Sequence, residues 1–125
     1  MKLLFCIGAG GFLGSISRYL LSRYIASHWD SAFPLATWIV NLSGCLLIGI
    51  LIGLFARADW FTEGWRAALV IGFCGSFTTF STFAGESLSL LKENAFGTMA
   101  LYALSSFALG LLFVYVGVQI VQVVK

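Results

Sequence analysis

Residues 72–83 read GFCGSFTTFSTF, with three Thr, two Ser and four Phe in twelve uncharged positions. The hydroxyls of Thr78, Thr79, Ser81 and Thr82 offer hydrogen bonds, and the rings of Phe80 and Phe83 offer edges, the positive part of an aromatic quadrupole. Asn41 adds a carboxamide, with Thr37 one turn before it. Tyr102 and Ser106, four apart, add two hydroxyls on one helical face. Every group in this set can turn the positive end of a dipole toward a guest. Together they suit a small anion, because no Lys or Arg stands among them to trap it. Nothing in the chain resembles a nucleotide-binding motif or a metal-hydrolase constellation, so the reading is not that of an enzyme.

Each residue also has a plainer reading. The amide of Asn41 costs several kcal/mol in hydrocarbon unless satisfied, and a hydrogen bond between helices would do that. Thr37 can bond back to its own helix. Tyr102 and Ser106 can serve as packing glue. Glu86 falls late in its span, where a carboxylate can simply be wet, although a carboxylate within a membrane span is a functional candidate by default.

The elements that must position these groups follow from composition. Of 125 residues, 60% are hydrophobic and 10% charged, against about a quarter charged in soluble domains. The chain reads as an all-α integral membrane protein. Four stretches, 3–26, 35–56, 67–91 and 97–124, match the roughly 20 apolar residues that a spanning helix needs. They form one four-helix transmembrane domain over residues 1–125, with no linker to divide it. The apolar run that opens the chain continues through Leu20 and Leu21, so it reads as a retained span and not a cleaved signal. Short joints carry most of the charge. SHWDSAFP holds the only Pro, RADWFTEGWR holds Trp60 and Trp65 for an interfacial belt, and KENAFG holds Lys92 and Glu93. A net charge of +2 is too small and too dispersed for nucleic-acid binding. Cys6, Cys45 and Cys74 lie in apolar segments without CxxC spacing and read as small hydrophobes.

An even number of spans puts both termini on one side. Lys2, Arg57, Arg66 and Lys125 then face Arg18, Arg23 and Lys92, four against three. The positive-inside rule needs a clear excess to set an orientation, so either the chain inserts both ways and can pair with an inverted copy of itself, or a weak bias still inserts it one way. Four helices fill their own middle with side chains, which makes a polar route easier to build between two subunits. Gly10 with Gly14 and Gly49 with Gly53 form GxxxG pairs that allow helices to approach closely. In the third span, Gly75 and the β-branched Thr78 and Thr79 predict an interruption between residues 75 and 79. Such a break is tolerated at membrane depth where it lines a cavity, and it frees carbonyls and amides for ions.

At these residues the chain resembles the Fluc fluoride channel family, the CrcB proteins. The resemblance covers nearly the whole chain and rests on GGFLGSISRY in the first span, the Asn41 segment in the second and GFCGSFTTFSTF in the third. Ser76 and Ser15 stand where the family commonly has Gly and Ala. The resemblance implies an antiparallel, dual-topology homodimer in a prokaryotic plasma (inner) membrane, with two fluoride pores along the subunit interface. It assigns Phe80 and Phe83 to ring-edge contacts, Asn41 to the pore, and Tyr102 and Ser106 to a polar track. Thr37, Thr79, Ser81, Thr82 and Glu86 join the same path. Arg18 gives the vestibule a positive field, unless it is an ordinary anchor that snorkels to headgroups. Backbone carbonyls of Gly75 and Thr78 from both copies are implied to hold a structural Na+ at the dimer centre.

The implied mechanism is passive. Fluoride enters as its neutral acid, dissociates in the more alkaline cytoplasm, and leaves through a selective channel, which confers fluoride resistance. Two rival readings stand beside it. A proton-coupled exporter of the small multidrug-resistance type needs a membrane carboxylate, and the first span has none. A non-transporting scaffold would use the same polar groups only as helix glue. A fluoride–proton antiporter is a third possibility, told apart by whether the flux carries net current.

Overall fold

The computed structural model describes residues 1–124, so Lys125, counted in the charge balance, lies outside the described residues. Among the described residues the secondary structure is all helical, and four helices are long and apolar enough to cross a membrane: Lys2–His28, Leu35–Arg57, Glu63–Lys92 and Phe96–Val123. Each extends the stretch expected from the sequence by a few residues at one or both ends, because helical hydrogen bonding continues into the polar flanks. We label Lys2–His28 α1 and Leu35–Arg57 α2. Within the third span lie α3 (Glu63–Arg66), a π-helical stretch (Ala67–Cys74), α4 (Gly75–Phe77) and α5 (Phe80–Lys92). Phe96–Val123 is α6.

Two helix pairs dominate the packing: α1 lies on the π-helical stretch, and α2 lies on α6. The GxxxG glycines make both contacts possible. A Cβ on Gly10 would overlap the Ala68 carbonyl, and one on Gly14 the Phe73 carbonyl. On the other pair, a Cβ on Gly49 would strike the Val114 carbonyl, and one on Gly53 would come 2.9 Å from the Val121 Cβ. In lipid no hydrophobic effect drives helices together, so backbone-to-backbone van der Waals contact and polar bonds must do it. No residue pattern announces the π geometry of Ala67–Cys74. It shifts the bonding to i→i+5, as in the Gly75 amide reaching back to the Val70 carbonyl, and such bulges recur at functional sites.

Local chemistry fixes the joints. The only Pro takes φ −72° and ψ 65°, and the Leu35 amide bonds to the Phe33 carbonyl at 2.7 Å across it. This is an inverse γ-turn, which suits the fixed φ of proline. Asn94, at φ 59°, closes α5. Its amide reaches Leu91 and that of Ala95 reaches Leu90 (3.1 and 2.9 Å), the paired bonds of a Schellman cap. Arg57 donates to the Val121 and Val124 carbonyls at the end of α6. Arg66 donates to the Phe55 carbonyl near the end of α2 (3.0 Å). Both guanidinium groups thus sit where helix dipoles are negative. Large apolar side chains point outward, among them Phe5, Phe12, Leu104 and Leu111. A surface of that kind needs an apolar surrounding.

Between α4 and α5 the chain is extended at Thr78 (φ −81°, ψ 158°) and Thr79 (φ −148°, ψ 114°). Thr79 is the N-cap of α5, its Oγ1 accepting from the Thr82 amide at 3.3 Å.

Candidate functional site

A groove of about 440 Å³ runs beside this extended pair. Its walls are Asn41, Gly44, Cys45 and Ile48 of α2, Val70 to Phe83 in part along the third span, and Ala103, Ser106 and Phe107 of α6. A Cβ on Gly44 would overlap the Thr78 side chain, so α2 can approach Thr78 only where it carries no side chain.

Asn41 meets the extended backbone directly. Its Nδ2 donates to the Thr79 carbonyl (3.1 Å), and its Oδ1 accepts from the Thr79 amide (2.8 Å). The bond between helices foreseen as the plainer reading is therefore present, and the residue also walls the groove. A carboxamide has two N–H donors, so one remains after this exchange. In an unbroken helix the Thr79 amide would reach the Gly75 carbonyl, and the Thr82 amide the Thr78 carbonyl. Both amides bond to side chains instead, which leaves the Gly75 and Thr78 carbonyls without their helical donors. The opening amides of α5, at Phe80 and Ser81, lie on the other side of the interruption. The first turn of a helix carries unpaired N–H groups and partial positive charge.

The aromatic residues form a row. Phe80 and Phe83 have centroids 5.8 Å apart, and Phe83 and Tyr102 4.9 Å. Phe80 is 79% exposed and stands at the open side of the groove, whereas Tyr102 is fully buried. Beyond Phe83 lies a polar cluster. The Thr37 hydroxyl donates to Glu86 Oε1 and the Tyr102 hydroxyl to Oε2, each at 2.7 Å. Glu86 is thus not a loosely wet carboxylate, and Thr37 does not bond back to its own helix. Short charge-assisted bonds on both oxygens fix the carboxylate. A recess of about 520 Å³, walled by Pro34, Thr82, Gly85, Glu86, Ser89 and Glu93 among others, opens at this end.

Ser106 walls the groove with its Oγ buried and without a hydrogen-bond partner among the described residues. Such an atom costs about 1–3 kcal/mol unless something bonds to it. Ser81, exposed, and Arg18, half-buried on α1, wall neither the groove nor the recess. Cys45 and Cys74 wall the groove as free thiols. Sequence reasoning missed Phe33, whose ring packs on Tyr102, and Trp38, which packs on Phe33 and bonds to Ser105. A buried indole needs a partner for its N–H, and Trp38 inside an apolar span carried that signal.

These features define a class: a four-span membrane protein whose polar groups converge on a lateral groove beside the third span. A family model described as CrcB-like protein, Camphor Resistance (CrcB), matches residues 5–118. The chain belongs to this family. It is 43% identical over 118 residues to a fluoride-specific ion channel FluC of Phocaeicola vulgatus, covering 94% of this chain and 97% of that protein. To the FluC of Azobacteroides pseudotrichonymphae it is 39% identical over 117 residues, 94% of each chain. A FluC 2 of Bacillus cereus is 39% identical over 114 residues, 91% of this chain and 92% of that one.

Proposed function

We propose that this chain is a fluoride-selective channel that lets cytoplasmic fluoride flow out passively and so confers fluoride resistance. The observation that carries the reading is the convergence at the interrupted third span. The amide end of α5, the Phe80 and Phe83 rings, the spare Asn41 N–H and the unpartnered Ser106 hydroxyl meet at one groove. The relatives named as fluoride-specific channels support the choice of ion.

Fluoride enters beside Phe80, where ring edges and the first turn of α5 replace part of its water. It passes Asn41, Thr79 and Phe83 and leaves by the Thr37–Tyr102–Glu86 cluster, with Thr82 on the recess at that end. Glu86 stays paired with two hydroxyls, which keeps its charge from facing the ion bare. Selectivity over chloride comes from a narrow path whose short donors repay loss of fluoride's tight hydration shell more than that of a larger ion.

The groove is open along one side of a single protomer, with Phe80 and Phe107 (72% exposed) turned outward. A second copy in the opposite orientation closes it, giving an antiparallel homodimer with two pores, and lipid covers the remaining apolar faces. The four-to-three balance of basic residues supports insertion in both orientations. At the centre, the Gly75 and Thr78 carbonyls fit a structural Na+: they are hard oxygen donors without helical partners, two from each copy. The bound ion would supply positive charge that favours an anion nearby.

The test is efflux from liposomes loaded with fluoride or chloride, with a potassium ionophore to clamp the voltage. Fast fluoride release that carries current, with negligible chloride release, is the expected result. Well-folded protein that moves neither anion would return the polar groups to the role of helix glue.

A further inference from the structure

Tyr102 is the one large side chain of the polar cluster with no exposure at all, and a chain of contacts outside the path leads to its ring. Phe33, in the joint between α1 and α2, stands edge-on to the Tyr102 ring, with centroids 5.4 Å apart and planes at 81°. Trp38 stands edge-on to Phe33 in turn (5.7 Å, 82°). The Trp38 indole N–H donates to Ser105 Oγ at 3.0 Å, which ties α2 to α6 within one turn of Tyr102. Phe33 is itself held from both sides, since its amide bonds to Ser31 Oγ (3.1 Å) and its carbonyl closes the turn at Pro34.

We infer that Phe33 and Trp38 are positioning residues for conduction: they clamp the Tyr102 ring against Phe83 so that its hydroxyl stays on Glu86. Without the Phe33 ring, one face of Tyr102 loses its neighbour and the phenol can tilt away from the carboxylate. Glu86 Oε2 then turns a bare negative oxygen toward the anion. An edge-to-face contact carries only about 0.5–1.5 kcal/mol beyond burial. What matters here is the direction of a hydroxyl at the end of an anion path, where small misplacements have large effects on rate.

This inference rests on the channel reading, and fluoride efflux from liposomes containing the purified protein tests both. Phe33→Ala and Phe33→Leu should each lower fluoride flux about tenfold or more with assembly unchanged by size-exclusion chromatography. Phe33→Tyr, which keeps the ring, should restore most of that loss. Trp38→Phe keeps the ring contact but removes the N–H, and should fall between. The decisive readout is the combination with Tyr102→Phe. If Phe33 acts through the Tyr102 hydroxyl, Phe33→Ala should cost nothing further in that background. Losses that multiply, or Phe33→Leu and Trp38→Phe proteins that conduct as the parent does, overturn the clamp while leaving the channel standing. A parent protein that moves no fluoride overturns the channel reading and the clamp with it.

Discussion

Asn41 and Thr79 exchange two hydrogen bonds as two strand residues would: the carboxamide N–H donates to the Thr79 carbonyl, and the Thr79 amide N–H donates to the carboxamide oxygen. The side chain of α2 thereby takes the place of the helical partner that the Thr79 amide lacks. Asn41→Asp removes the donor to the Thr79 carbonyl and sets a negative charge in an anion path. It should suppress fluoride efflux and destabilise the protein by about 1–3 kcal/mol, the cost of a buried polar group left unpaired. Efflux and a thermal melt on the same preparation check this, and a fast, stable mutant would count against both roles.

Replacing Phe80 or Phe83 with Ile keeps an apolar side chain but removes the ring edge. Fluoride throughput should drop while the oligomer stays intact on a sizing column. Phe80 is mostly exposed in the protomer, so little stability should be lost there. Undiminished flux in the Phe80 variant would remove the ring from the path.

Tyr102→Phe takes one of two hydroxyl donors from Glu86, and Thr37→Val takes the other. Each should slow fluoride efflux, and each should lower stability by about 1–3 kcal/mol, because a charge-assisted bond to a confined carboxylate is lost. Melting curves of the two single variants and the double variant would show whether they share one carboxylate, since partners of one group couple and distant sites add.

The helix crossings offer a clean contrast. Gly10→Ala drives a methyl into the Ala68 backbone carbonyl, whereas Gly8→Ala meets nothing within 4 Å. The first should destabilise by about 1–3 kcal/mol or more through overpacking. The second should change the melting temperature little. Equal melting temperatures for the two would mean that the α1 contact gives way without cost.

Removing Na+ in favour of a bulky organic cation should lower the melting temperature of the purified protein, because an ion that binds only the folded form stabilises it by mass action. A melt independent of Na+ would leave the Gly75 and Thr78 carbonyls without that role.

What the sequence determined was whatever depends on local composition. Apolar run length is a property of neighbours in the chain, so four spans and their joints were legible to within a few residues. Glycine spacing likewise announced the crossings at Gly10, Gly14, Gly49 and Gly53, because close approach of two backbones needs a missing side chain on at least one. The motif around Phe80 and the Asn41 segment pointed to the family that the comparisons bear out. Tertiary structure alone decided which polar groups meet. That Thr37 bonds to Glu86 across 49 residues, and Trp38 to Ser105 across 67, depends on how far each helix is rotated about its axis. No periodicity within one helix fixes that rotation. The π-helical stretch was hidden for a related reason: no residue pattern within AALVIGFC announces it. Within it, Ala68 and Phe73 lie against Gly10 and Gly14 of α1, a contact the sequence does not display.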